Sequence, residues 1–145
     1  EIDLVEFSAP DAKVLLVDDI DINLVVAEFL LNTFKIFPDI AKSGREAVDQ
    51  AVSHPYDLIL MDHMMPEMDG VEAAKIIREM ENGQAAEHPV PIIALTANAI
   101  SGAKEMFLAN GFNGFLSKPM DAAALAECLL RWLPEALIVK APDAV

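Results

Sequence analysis

The sequence predicts an α/β fold in which a parallel sheet is doubly wound between two layers of helices, and three observations lead there. Short apolar runs recur along the chain, and each ends on a polar residue. Stretches with helical spacing lie between the runs, and runs and helices alternate strictly, five times over. Strict alternation calls for right-handed crossovers, which place helices on both faces of a parallel sheet. A chain of 145 residues has room for one such domain, with a core large enough to hold without disulfides or a structural metal.

Residues 1–12 are a mixed stretch that reads as a linker. The folded region is expected over residues 13–134, with a C-terminal tail over 135–145. Residues 13–17 (KVLLV) end in Asp18 and Asp19 and suit a strand buried on both faces. A helix follows over 23–34, then a weaker strand over 37–41. The second helix, 44–52, opens on Ser43-Gly44-Arg45-Glu46, the S-x-x-E pattern of a capping box. Residues 58–61 (LILM) form a strand ending in Asp62, and a helix spans 71–80. Residues 92–95 (IIAL) end in Thr96, with a helix over 103–109. A shorter strand over 114–116 leads into Ser117 and Lys118, and the last helix covers 122–132. Ligands of such sheets bind beyond the carboxyl ends of the strands, where Asp18, Asp19, Asp62, Thr96 and Lys118 sit. Alternation alone leaves the strand order open.

Composition narrows the chemistry. The chain carries 24 acidic against 10 basic residues, for a formal charge of -14. That field repels phosphate backbones, so no direct nucleic-acid contact is expected. Hydrophobic residues reach 54%, yet no run is long enough for a membrane span, and no membrane contact is expected. The lone Cys128 cannot form an internal disulfide and lies in an apolar helical stretch, as a buried thiol would. A reducing, cytoplasmic setting fits. The stretch at Glu1 lacks a secretory pattern, and the chain reads as a domain of a longer protein.

If the strand ends converge, three carboxylates share one small pocket. Unit charges about 4 Å apart repel by roughly 4 kcal/mol at an effective dielectric of about 20. A lysine offsets part of this, and a hard divalent cation with oxygen ligands offsets more, so Mg²⁺ or Mn²⁺ is expected. With the Thr96 hydroxyl and the Lys118 ammonium beside it, such a pocket offers the positioning and charge stabilisation that phosphoryl transfer needs. Asp62 would then be the nucleophile.

Five segments carry a family resemblance: Val17-Asp18-Asp19, Leu60-Met61-Asp62-His63-Met64-Met65-Pro66, Met68-Asp69-Gly70, Ala94-Leu95-Thr96-Ala97 and Ser117-Lys118-Pro119. In order and spacing the chain resembles response-regulator receiver domains over about residues 13–133. The resemblance implies a flavodoxin-like (βα)5 fold with strand order 2-1-3-4-5. It makes Asp62 the phosphoacceptor, Asp19 the direct metal ligand, Asp18 a ligand partly through water, and the Met64 backbone carbonyl a further metal contact. It makes Thr96 and Phe115 the switch pair, Phe115 lacking a hydroxyl so that the switch is one of packing. It also implies a cis Lys118-Pro119 bond, and an open approach to the phosphoryl group past the small Ala97. The implied partner is a histidine kinase or a histidine phosphotransfer domain, with a phosphorylation-dependent dimer as a further option. The loop from Asp62 to Gly70 and the segment LTANAISG look most like receivers of hybrid sensor histidine kinases, against a stand-alone response regulator. As an isolated domain the chain would catalyse only its own phosphorylation and dephosphorylation.

Other residues have plainer readings. Asp57, Asp69 and Asp121 read as caps or loop acids, Pro66 and Gly70 as loop and helix-entry devices, and His54, His63 and His88 lack metal-ligand spacing. On a helical wheel of the first helix, Leu24 and Leu31 fall on a different face from Val26, Phe29 and Leu30. Leu24 and Leu31 are therefore expected either to be covered by the fifth helix or a terminal segment, or to form a docking face for the partner. Two other functions use similar parts. A haloacid-dehalogenase-type phosphatase places an acid two residues after its nucleophile, where this chain has Met64, which cannot move a proton. A flavodoxin-like cofactor carrier would need a phosphate loop where this chain has Asp18-Asp19-Ile20-Asp21, which repels phosphate.

Overall fold

A computed structural model describes residues 7–83, 89–97, 103–118 and 120–140. In chain order the elements are β1 (Phe7–Ser8), β2 (Val14–Val17), α1 (Asp21–Thr33), β3 (Asp39–Ala41), α2 (Gly44–Ser53), β4 (Leu58–Asp62), α3 (Gly70–Gly83), β5 (Ile92–Thr96), α4 (Ala103–Ala109), β6 (Gly114–Ser117), α5 (Ala122–Trp132), a short 3-10 turn at Glu135–Leu137, and β7 (Val139–Lys140).

The main sheet has five parallel strands in the order β3-β2-β4-β5-β6. Numbered among themselves these strands run 2-1-3-4-5, the flavodoxin-like order. Every residue of the central strands β2, β4 and β5 is buried. This is why they read as unbroken apolar runs instead of alternating ones. The two-residue period of a strand divides them between two cores. Leu16, Leu60 and Leu95 face α1 and α5, with Leu24, Leu31, Leu125 and Leu129. Leu15, Val17, Ile59, Met61 and Ala94 face α2, α3 and α4, with Val48, Ile77 and Phe107.

Local chemistry sets the helix ends. The Ser43 hydroxyl accepts from the Glu46 amide at 3.1 Å, and the Glu46 carboxylate reaches back to the Lys42 amide, one residue before the cap, at 3.4 Å. Asp69 accepts from the Glu72 amide at 2.9 Å and Asp121 from the Ala124 amide at 2.7 Å, so both acids cap helices. Asp57 accepts from the Lys13 amide at 2.8 Å and ties the entry of β4 to that of β2. Gly70 starts α3 against the Asp62 carbonyl, and a Cβ there would overlap that oxygen and stand 2.8 Å from His63 Cα. The glycine is thus a requirement of close approach.

The sequence reading needs correction at the ends. The segments expected as linker (1–12) and tail (135–145) include folded residues. Phe7–Ser8 pairs antiparallel with Val139–Lys140, and Phe7, Ala9 and Ala12 are buried. Phe7 stacks on Phe34 with ring centroids 4.8 Å apart, and the Ala9 amide donates to the Phe34 carbonyl at 2.8 Å. The physical cause is the apolar pair Phe7 and Ala9 at strand spacing, which covers the C-terminal end of α1. Helix α1 also begins earlier than expected, at Asp21, where an acid suits the first turn. No helix among the described residues is long and apolar enough to cross a membrane.

Candidate functional site

Register brings the acids together. Val17 lies opposite Met61, Asp62 opposite Leu95, and Thr96 opposite Ser117. The residues that leave β2 are therefore level with the last residue of β4, and Lys118 follows one step beyond Thr96. The Lys118 amide donates to the Thr96 carbonyl at 2.7 Å, which holds the exit of β6 beside β5.

Asp18 and Asp62 are only 2% and 3% exposed. Asp18 Oδ1 accepts from the Ile20 amide at 3.0 Å and from Asn23 Nδ2 at 3.5 Å. Its Oδ2 faces Lys118 Nζ at 3.4 Å. Asp62 Oδ1 accepts from the Met64 amide at 3.3 Å and meets Lys118 Nζ at 3.2 Å. Oxygens of Asp18, Asp19 and Asp62 all lie within 4.8 Å of one another. Asp19 Oδ1 is buried and has no hydrogen-bond partner. Thr96 is buried at the end of β5.

Three carboxylates face one ammonium here. Burial raises the Asp62 carboxyl above its usual range, and the Asp18 charge raises it further. Lys118 and the Met64 amide pull the other way. An orphaned buried carboxylate oxygen is costly, and this one lies in a cluster of hard oxygen donors. The residues present fit a divalent cation such as Mg²⁺, which prefers oxygen ligands and tolerates several waters. Among the described residues this acid cluster is the one group of three or more His, Cys, Asp or Glu side chains placed to hold a metal ion, and neither His54 nor His63 belongs to it.

The remaining expected residues fall as follows. Phe115 is half-buried and packs on the α2–α3–α4 core, its ring 5.9 Å from that of Phe107. The Met64 side chain is 69% exposed, leaving its backbone beside Asp62. Pro119, His88 and residues 98–102 lie outside the described residues, and so does the expected cis bond.

Leu24 and Leu31 do not form a docking face. They are 6% and 0% exposed and belong to the core beneath α1 and α5. The stripe of α1 that meets the sheet is Leu24, Ala27 and Leu31, spaced i, i+3 and i+7. The exposed apolar residues are instead Ile22 at 64%, Val25 at 59%, Val26 at 43% and Phe29 at 68%. Their i, i+3, i+4, i+7 spacing is itself a readable helical signal, but α1 is apolar on most sides, and the wheel alone does not say which stripe is covered. Sequence reasoning also missed Asn23, whose amide reaches Asp18. Its position five residues after Asp18, on the first turn of a helix entered from that acid, is the signal that could have found it.

Comparison with known proteins agrees with the geometry. Residues 14–130 match the family model of the response regulator receiver domain. Among curated proteins, the chain is 37% identical to Probable histidine kinase 1 of Oryza sativa subsp. indica, covering 88% of this chain and 16% of that protein. It is 39% identical to the signal transduction histidine-protein kinase BarA of Escherichia coli K12, over 83% of this chain and 13% of that protein. The chain therefore spans about a sixth or less of the length of these relatives. Among solved structures, it resembles a chain from the co-crystal structure of the Saccharomyces cerevisiae histidine phosphotransfer signaling protein Ypd1 with the receiver domain of its downstream response regulator Ssk1. The TM-score is 0.82 at 34% identity, with 88% of this chain and 92% of that chain covered. It also resembles the receiver domain of sensor histidine kinase PA1611 from Pseudomonas aeruginosa PAO1, solved with a magnesium ion coordinated in its active site cleft. There the TM-score is 0.73 at 41% identity, over 83% of this chain and 96% of that one.

Proposed function

Because this chain belongs to the response regulator receiver domain family and is a receiver of two-component phosphorelay, we propose that Asp62 is the residue on which it accepts a phosphoryl group from a phosphohistidine. The observation that carries this reading is the placement of a buried Asp62 carboxylate 3.2 Å from Lys118 Nζ, within reach of two further acids.

In the step we assign, an Asp62 oxygen attacks phosphorus in line with the histidine nitrogen. The P–N bond breaks, the electron pair leaves with the imidazole, and an acyl phosphate remains on Asp62. Lys118 and the Thr96 hydroxyl hold phosphoryl oxygens as charge develops on them. Asp18, Asp19, Asp62 and the Met64 carbonyl would hold a Mg²⁺ or Mn²⁺ ion. When bound, the ion supplies positive charge between the acids and the phosphoryl oxygens. The unpartnered Asp19 oxygen supports this assignment, as does the magnesium in the PA1611 receiver.

The phosphatase reading finds no support. Two residues beyond Asp62 stands Met64, a side chain without a proton to give. In this reading the domain acts only on itself, and the phosphoryl donor is consumed in modifying Asp62. The match to a small part of several histidine kinases, one of them named a hybrid kinase, supports a hybrid histidine kinase as the parent protein.

The phosphodonor partner we propose is a histidine phosphotransfer domain. Its docking surface is the exposed stripe Ile22, Val25, Val26 and Phe29 of α1. Two observations support that occupant. Val26 lines a small cavity together with Asp18, Asn23 and Lys118, so the apolar stripe is continuous with the acid site. The Ssk1 receiver was crystallised with such a protein. The test is transfer from a radiolabelled phosphohistidine protein of this class in the presence of Mg²⁺. Label should move to the wild-type chain and not to Asp62→Asn, and equal labelling of both would refute the assignment.

A further inference from the structure

His63 follows Asp62 directly, yet its half-buried imidazole stays outside the acid cluster. Its backbone N–H and its Nδ1 both reach the carbonyl oxygen of Leu95, at 3.3 and 3.4 Å. A carbonyl only accepts, so this contact is a hydrogen bond in the tautomer that carries its proton on Nδ1. Leu95 immediately precedes Thr96. One side chain thus ties the end of β4 to the end of β5 at the phosphoacceptor.

The same ring continues outward. It meets Phe107 of α4 edge-on, with centroids 5.2 Å apart and planes at 80°. Phe107 is 1% exposed, and its ring lies 5.4 Å from Phe112 and 5.9 Å from Phe115. His63, Phe107 and Phe115 form a continuous contact path from the residue beside Asp62, through α4, to β6, and Phe112 packs on Phe107 as a branch. Phe115 has no hydroxyl with which to anchor itself, so packing alone sets its position. Its ring contacts that of Phe107, and the Phe107 ring also contacts His63.

We propose that His63 is a positioning residue that couples the state of Asp62 to the packing of Phe115 through Phe107, in addition to any route through Thr96. This rests on the reading of Asp62 as phosphoacceptor. A phosphoryl group on Asp62 adds charge and bulk at the residue whose backbone continues directly into His63, and movement of this strand end carries the His63 ring with it. A displacement of that ring meets a close-packed core, which responds by changing between discrete arrangements instead of deforming gradually. Phe115, half-buried on the edge strand, ends the path and lines a surface cavity.

The experiment follows the aromatic NMR signal of Phe115, assigned with Phe115→Leu, in the full chain before and after acetyl phosphate and Mg²⁺. Adduct occupancy is measured in parallel by mass spectrometry. In the wild type the Phe115 signal should shift with occupancy. At equal occupancy, His63→Ala should reduce that shift by a factor of about two or more, the size of coupling that single contacts in such networks carry. His63→Phe, which restores a ring against Phe107, should recover it. A full Phe115 response in His63→Ala, an equal loss in His63→Ala and His63→Phe, or failure of His63→Ala to take the adduct overturns the coupling. Absence of any adduct in the wild type instead overturns the phosphoacceptor reading, and the coupling with it.

Discussion

The Lys118 ammonium lies 3.2 Å from Asp62 Oδ1, reaching back from the end of β6 to the end of β4 past the intervening β5. The same nitrogen is 3.4 Å from Asp18 Oδ2. Lys118 is therefore the cation that lets two buried acids coexist, and it is placed to meet charge developing on a transferred phosphoryl group. Lys118→Ala should slow phosphorylation by acetyl phosphate by about 100-fold or more, the loss typical of removing one preorganised charge-stabilising donor. Single-turnover rates at fixed Mg²⁺ measure it, and a loss of less than tenfold would remove Lys118 from the chemistry.

The raised Asp62 carboxyl has a consequence for stability. Burial, then the Asp18 charge, favour the protonated form in the folded state. Between the unfolded carboxyl value of 3.8 and the higher folded value, the folded chain binds the proton more tightly. Stability contributed by this group thus falls as pH rises through that window, and the penalty is fully present above it. Asp62→Asn should stabilise the metal-free chain at neutral pH, with the gain vanishing as pH drops below the unfolded value. Urea titrations of both chains at several pH values check the sign.

A divalent cation should act in the opposite sense to that penalty. At a Mg²⁺ concentration about 100-fold above its Kd, mass action stabilises the folded chain by about 2.7 kcal/mol. Asp19→Asn should abolish most of this, because it removes the charge of the group that holds the unpartnered buried oxygen. Thermal melts with and without Mg²⁺ distinguish this from a general salt effect, which K⁺ at equal ionic strength would reproduce.

The exposed stripe of α1 separates partner docking from chemistry. Phe29→Asp and Val25→Asp change residues that are 68% and 59% exposed, so the fold should be retained. Transfer from a histidine phosphotransfer protein should drop by at least about tenfold, corresponding to roughly 1.4 kcal/mol, while phosphorylation by acetyl phosphate stays unchanged. Equal loss with both donors would contradict the docking assignment.

Away from the site, Arg78 clamps three segments. It donates to the Gly111 carbonyl at 2.9 Å, to Glu81 at 2.7 Å and to Asn113 Oδ1 at 2.7 Å, while Glu81 and Asn113 in turn accept from the Val90 and Ile92 amides. Arg78→Ala leaves partly buried acceptors unsatisfied and should cost about 2 to 3 kcal/mol. Denaturant midpoints report it.

The acid site was legible in the sequence because its members lie at or just beyond the carboxyl ends of the sheet strands. Apolar runs closed by Asp18, Asp62 and Thr96 mark where a parallel sheet stops, and the sheet brings those ends together whatever the loops do. The covered side of α1 was not legible for the opposite reason. With Ile22, Val25, Val26, Phe29 and Leu30 all apolar beside Leu24, Ala27 and Leu31, the helix offers more than one apolar stripe, and packing against the sheet and α5 sets which is buried. The pairing of Phe7–Ser8 with Val139–Lys140 leaves no periodic trace either, because two residues are too few to show a strand's alternation and the partners lie at opposite ends of the chain. The contact of His63 with Phe107 is likewise a product of tertiary packing between β4 and α4.

The central claim is tested most directly by locating the phosphoryl group itself. The wild-type chain is incubated with acetyl phosphate and Mg²⁺, and peptides are mapped by mass spectrometry after the acyl phosphate is trapped by borohydride reduction. The expected result is a single modified residue, Asp62, in the wild type and none in Asp62→Asn. Modification elsewhere, or an equal yield in Asp62→Asn, would contradict the account.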